Sequence, residues 1–502
     1  MQNITINTLN GKKVVDYFQH VQFIMNMHGT MQQAAMNYYP TTGLKYVVVP
    51  YIVGITGACE NVSTLFTIGN KKSVPAFFNQ TGQLGLECFQ MFSDGVFTII
   101  HSGRDEGEED IRHLFEFNLT EEEFGYSLVE NNGTFNPSLM FEHLLQRIES
   151  AVKHLANAVI KNNLQDLENY GQNTAALEEI LRFPFLRISY DEAITLLQRN
   201  GYPNLQWGDD LKAEHEQSVI VAANELERHR PHGLITLGDR PVFITRYPKD
   251  IKFFNMMLDD NDPRVVWSAD LILPIAGESV GSAVREPNAK RLEKRLLESN
   301  MFRIHQENGG TFDDFTWYIK DVVGSGKIQP HAGYGLGNER LIQWLCGFPD
   351  IRDCAPFSLH ARLTHDFDAS RSGTQPISSP APRTVLLSIA YNAKEELLPS
   401  IQAIANNGIV LYATSGTHKF LNEHGVKTVL VHKISEPEEK PNLADLLQKK
   451  VLTTVVNIPS PKDGQTETDG EAIRQLAINT GTYLLTDIST AKHLFQKLAE
   501  KK

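Results

Sequence analysis

Cysteine is scarce, four in 502 residues (Cys59, Cys88, Cys346, Cys354), and no two share a CxxC spacing. That excludes a disulfide-built scaffold and points to a reduced, cytoplasmic protein. No apolar run approaches the roughly 18 residues that cross a bilayer, so no membrane span is expected. The opening segment, MQNITINTLNGKK, lacks the apolar stretch of a secretory signal. Basic residues are outnumbered 47 to 60, a net charge of -13. This disfavours a non-specific nucleic-acid binder, which needs a basic face, while a local basic patch remains open to a specific one. What the chain does have is an ordinary globular composition, 41% hydrophobic with 35 Gly and 23 Pro, enough for a large core. At about 150 residues per domain it holds roughly two to four domains.

Two stretches of different character follow one another. Residues 1–365 hold apolar β-like runs (YVVVPYIVGI, GVFTIIH, LFEFNL, LILPI, FTWYIKDVV) among long amphipathic helices, above all the segment at 140–161. The pattern predicts an α+β domain with an antiparallel sheet. Residues 366–383, rich in Ser, Pro and small polar residues, read as a linker. From 384 to 502, short buried-type strands (TVLLSI, IVLYAT, TVLVH, LTTVVNI, TYLLT) alternate with helices, the first closed by Gly408. That alternation predicts an α/β domain with a parallel sheet.

Several segments between 40 and 360 mix arginines, acids and glycines in apolar settings. Buried Arg and Glu are rare unless paired or bound to a ligand. Taken singly, each segment is most simply a surface ion pair, Phe117 a core residue, His113 a satisfied core histidine and Asp270 a turn residue. Their joint order carries more. Val49-Pro50 is followed by Cys59-Glu60, GQLGLE at 82–87, and Arg104-Asp105-Glu106 with Arg112-His113-Leu114 and Phe117. Then come Trp207-Gly208 with Glu214-His215-Glu216, the run Tyr247 to Lys252, Asp270 with Gly277-Glu278, and Gly281 with Arg285-Glu286. HAGYGLGNER closes the series at Glu339-Arg340. In this order they resemble class II aminoacyl-tRNA synthetases of the asparaginyl type, over about 40–360.

The resemblance implies activation of an amino acid by ATP, with Mg2+, as an acyl-adenylate. A carboxylate must approach the α-phosphorus while charge builds on phosphoryl oxygens, so positioned cations and metal are needed. It assigns Arg104 to the α-phosphate and the substrate carboxylate, and Arg340 to the far phosphates, assisted by Arg112 or His113. Phe117 would stack on adenine, with Glu106 and Glu339 completing the ATP site. Asp270 and Glu278 would hold Mg2+, and Glu60 and Gln83 the substrate ammonium. Glu87 and Arg285 would read the side chain. One acceptor and one donor suit an asparagine amide, but they also suit the α-ammonium and α-carboxylate of an aspartate bound the other way round.

The resemblance also has gaps. The family's N-terminal anticodon-reading barrel has no room before Pro50, Ala58 replaces an aspartate, and Ser358-Leu359 replaces the end of the third motif. The expected acceptor is therefore ammonia or a small amine, as in asparagine synthetases of this lineage. Charging of tRNA(Asn) is one alternative and a catalytically silent sensor the other; a homodimer is expected. Residues 384–502 resemble the methylglyoxal-synthase-like domain that ends carbamoyl-phosphate synthetases. The turn Thr414-Ser415-Gly416-Thr417, with Lys394, Lys433 and Asn457, matches its phosphate-ligand site. A turn of this kind opening a helix presents N–H groups and hydroxyls to an anion. A phosphorylated effector is the partner this implies.

Overall fold

The structure is a computed structural model. It describes residues 6–500 except 10–11, 16, 55–63, 70–75, 106–110, 131–132, 229–237, 308, 356–366, 369–383, 406–408, 435, 437, 450, 453, 460–468, 481 and 487. Glu60, Glu106, Gly408 and most of the 366–383 segment therefore lie outside the described residues. The chain divides into two compact units. The first comprises residues 1–190, 208–210 and 236–374. The second comprises 191–207, 211–235 and 375–502, so it draws in a segment from the middle of the chain. No helix among the described residues is long and apolar enough to cross a membrane.

The first unit is built on an eight-stranded sheet. In chain order its strands are β1 (Lys45–Tyr46), β2 (Gly95–Gly103), β3 (Glu116–Gly125), β4 (Leu186–Ser189), β5 (Val242–Thr245), β6 (Ser268–Leu273), β7 (Gly277–Val284) and β8 (His331–Gly337). They lie side by side as β1-β2-β3-β8-β7-β6-β5-β4. The sheet is antiparallel through its middle, as the sequence predicts, and parallel at both edges, where β1 joins β2 and β4 joins β5.

Strand alternation gives the two faces different chemistry. One face carries Leu271, Val280, Leu336 and Tyr334 into the core. Helix α1 (Tyr17–Tyr38) and helix α3 (Pro137–Asn162) contribute to the same core, with Met140, Leu144, Ile148, Val152 and Leu155 in helical spacing along α3. Asn136 caps α3 by accepting from the N–H groups of Ser138 and Leu139, and Pro137 sits where its missing N–H is harmless. The other face is paved with glycine. Asp270 pairs with Gly281, Gly281 with Gly335, and Gly335 with Glu121. Gly333 lies opposite Glu123 one step along. Helix α2 (Gln83–Phe89) packs against β2 and β3.

The second unit holds β9 (Thr384–Ile389), β10 (Val410–Thr414), β11 (Val429–Val431), β12 (Thr454–Ile458) and β13 (Tyr483–Leu485) in the order β11-β10-β9-β12-β13. Every pairing is parallel. Strand order reverses between β9 and β12, the place where open parallel sheets form a ligand crevice beyond their carboxyl ends. The inserted segment supplies α4 (Tyr190–Arg199) and α5 (Ala213–Arg228).

Candidate functional site

The ATP-assigned residues converge on one end of β2, β3 and β8. Arg104 follows β2, and its N–H donates to the Phe115 carbonyl at 2.9 Å. Its guanidinium lies over the Phe117 ring at 5.8 Å. Arg340, at the start of helix α6 (Asn338–Cys346), donates to the carbonyls of Ala276 and, at 2.9 Å, Arg112. That ties the loop between β2 and β3 to the start of α6. Glu339 is buried and accepts from the Asn118 N–H and side-chain amide, at 2.8–3.1 Å. It holds β3 against α6 from below the site. His113 is exposed.

The metal-assigned carboxylates lie on adjacent strands. Asp270 on β6 and Glu278 on β7 emerge on the same face, with the Glu278 carboxylate lying toward Gly281, the residue opposite Asp270. Asp270 is paired with Lys252 at 2.6 Å. Two hard oxygen donors of this kind suit Mg2+, which takes few protein ligands and completes its shell with phosphate and water.

Glu87 and Arg285, assigned to read the side chain, come within 3.9 Å of each other. Glu87 is fully buried and already accepts from Gln83 (2.8 Å), Asn255 (2.9 Å), Tyr318 (2.6 Å) and His331 (3.2 Å). Burial pulls the Glu87 carboxyl upward, but the His331 hydrogen bond and charge, with Arg285, hold it below the usual range. The same contact keeps His331 above its ordinary value against burial. Its other ring nitrogen faces the Gln329 carbonyl at 3.0 Å, so both nitrogens act as donors. Gln83, assigned to the substrate ammonium, is engaged with Glu87.

The acid that Arg285 grips is Glu123, through Nε at 3.0 Å and NH2 at 2.5 Å, both to Oε1. Glu123 Oε2 is buried with no hydrogen-bond partner. Burial pushes Glu123 up to about 7 despite Arg285. Two residues away, Glu121 accepts from Thr81 and, at 2.7 Å, from the Gly82 N–H. Burial raises it to about 7 as well. Sequence reasoning missed Glu121 and Glu123. Their signal was present: Glu121-Glu122-Glu123 on a strand sends the first and third to the face left open by Gly333 and Gly335.

The family model for class II tRNA synthetases (D, K and N) matches residues 11–361. The chain belongs to that family. Asparagine–tRNA ligase of Desulforamulus reducens is 32% identical over 335 residues, 66% of this chain and 68% of that one. Asparaginyl-tRNA synthetase from Pyrococcus horikoshii, complexed with asparaginyl-adenylate, superposes with a TM-score of 0.56 at 31% identity, covering 68% of each chain. The Entamoeba histolytica asparaginyl-tRNA synthetase gives 0.53 at 25% identity over 68% of each. Synthetases of this type are ATP-dependent ligases that form aminoacyl-adenylates. Residues 396–486 match the MGS-like domain.

In that domain the anticipated anion ligands ring the β9/β12 crevice unevenly. Lys394 on helix α7 (Tyr391–Ala405) donates to the Gly416 carbonyl at 2.6 Å. Lys433 pairs with Asp469 at 2.5 Å. Asn457 is buried on β12 beside Ser388. Thr414 precedes helix α8 (Ser415–Glu423), and Ser415 and Gly416 are exposed. Thr417 is buried, and its hydroxyl lies 3.0 Å from the Ile389 N–H and 3.3 Å from the Ile389 carbonyl. It closes the end of β9.

Proposed function

We propose that the first unit activates asparagine as an acyl-adenylate on the glycine-paved face. The observation that carries this is the buried Arg285–Glu123 pair, which lies on the same sheet face as Glu121 and ends in an unpartnered carboxylate oxygen. An amide would give its NH2 to Glu123 and take a hydrogen bond from Arg285. The α-carboxylate oxygen then attacks the α-phosphorus, and the bond to pyrophosphate breaks. Arg104 neutralises the developing charge and Phe117 receives the adenine. Arg340 binds the far phosphates, with Arg112, His113 and Glu106 assisting. Glu60 completes the ammonium site. Asp270 and Glu278 would hold Mg2+, which when bound screens phosphate charge. Exposed Tyr46, Val48, Tyr51 and Ile52 cluster along the first motif and support a homodimer.

A second reading keeps the same pair. Glu123 and Arg285 equally match the α-ammonium and α-carboxylate of aspartate, leaving its β-carboxylate for ATP and ammonia or a small amine as acceptor. The second unit is read as a regulatory site for a phosphorylated metabolite, bound by Lys394, Thr414, Ser415, Lys433 and Asn457. The Ser/Pro segment at 366–383 is read as the joint before it. Pyrophosphate exchange with asparagine or aspartate tests the substrate. Adding tRNA(Asn) or ammonia to the competent mixture then tests the acceptor. Exchange with neither amino acid would overturn both readings in favour of a silent sensor.

A further inference from the structure

Arg474, on helix α9 (Asp469–Asn479), is 2% exposed and plays no part in the chemistry above. Its NH1 donates to Asn457 Oδ1 at 2.8 Å, and its NH2 to the Gly201 carbonyl at 3.1 Å. Its guanidinium lies 4.9 Å from the centre of the Tyr202 ring. Its Nε is buried without an acceptor. The guanidinium is thus held by two neutral oxygens and by Tyr202, and Tyr202 in turn also lies near the Glu214 carboxylate. Two consequences follow for Asn457. Its carbonyl end is occupied, so its NH2 end is the one left to donate to a ligand. A fixed positive charge also stands directly behind it, which favours an anion in front.

The far side of Arg474 is just as constrained. Gly201 adopts φ 111°, and a Cβ there would meet Pro459 at 3.0 Å, two residues beyond Asn457. Tyr202 is buried, with its hydroxyl beside Ser218 at 3.1 Å on α5. Gly201 and Tyr202 belong to the 191–235 segment, which leaves the first unit's sheet after β4 and returns before β5. The chain thus sends a loop of its synthetase portion to the back of the anion crevice.

We infer that Arg474 is a positioning residue that orients Asn457 toward an anionic ligand and couples occupancy of that pocket to the 191–235 segment. This rests on the anion-pocket reading of the second unit. Binding at the Asn457 amide tightens its hold on Arg474, and Arg474 in turn restrains the Gly201 carbonyl and the Tyr202 ring.

The test uses the full chain, with inorganic phosphate as probe, and reads calorimetric affinity and hydrogen–deuterium exchange of the peptide spanning 200–206. In the wild type, phosphate should slow exchange of that peptide several-fold. In Arg474→Gln, phosphate affinity should fall about tenfold, as for loss of a charge-assisted hydrogen bond, and the slowing should vanish. Tyr202→Leu, which leaves the five-stranded sheet's own packing intact, should also abolish the slowing while retaining affinity within a few-fold. It serves alone if Arg474→Gln does not fold. Slowing that survives in either folded variant, or binding to the wild type without slowing, overturns the coupling while the pocket reading stands. No phosphate binding to the wild type overturns the pocket reading and the coupling with it.

Discussion

Arg285 reaches Glu123 across β8, passing over Gly333, where any Cβ would collide with the Glu123 carboxyl group. Glycine at 333 is therefore a condition of the pair, not a turn requirement. Gly333→Ala should displace Glu123 and lower kcat/KM for asparagine about 100-fold, ~2.7 kcal/mol of transition-state binding. Because that Cβ would also meet the Glu122 carbonyl at 2.3 Å, the variant should also lose stability in urea denaturation. An alanine variant with ordinary asparagine kinetics would show that the pair is not the reader.

Glu123→Gln keeps the shape but turns the free acceptor oxygen into an NH2 donor. Asparagine-dependent exchange should drop about 100-fold, as expected when a buried charge-assisted contact is lost, with the KM for ATP nearly unchanged. Equal loss for both substrates would assign Glu123 to the general framework.

Glu87, by contrast, should behave as a scaffold. It satisfies Gln83, Asn255, Tyr318 and His331 at once. Glu87→Gln leaves the His331 charge unpaired in the interior and should cost about 3 kcal/mol of stability, read by urea denaturation at pH 6. A fully stable variant with impaired asparagine binding would return Glu87 to the reading role.

The pH dependence of stability follows from Glu121. Burial pushes its carboxyl up to about 7, against 4.5 for a free side chain. A raised carboxyl value means that the folded state holds the proton more tightly. Its stabilising contribution is full below pH 4.5 and is lost as pH rises through 7. The difference is on the order of 3 kcal/mol. Glu121→Gln should flatten the decline of Tm between pH 5 and 8. Parallel wild-type and variant curves would contradict the assignment.

In the second unit, Thr417 bridges the end of β9 from inside. Thr417→Val should lower that unit's Tm by the equivalent of about 1 kcal/mol and leave phosphate affinity within a few-fold. Lys394→Ala should do the reverse. Abolished phosphate binding in a folded Thr417→Val variant would restore Thr417 to the ligand set.

By itself, the sequence determined the order of strands and helices, the two units' sheet types and the segments that meet around the site. Alternating patterns, glycine runs and arginine–acid motifs are local features, and local sterics and burial act on them wherever they occur. Only the tertiary structure decided which partner each charged group took. Arg285 could pair with Glu87 or Glu123 by composition alone. Strand register puts Glu123 across Gly333, while Gln83, Asn255, Tyr318 and His331 already fill the lone pairs of Glu87. Likewise, nothing near Gly201 in sequence announces Arg474, which is 273 residues away. Side chains so distant along the chain become neighbours through packing, because burying apolar surface fixes the backbone and leaves polar groups to find the nearest available partner.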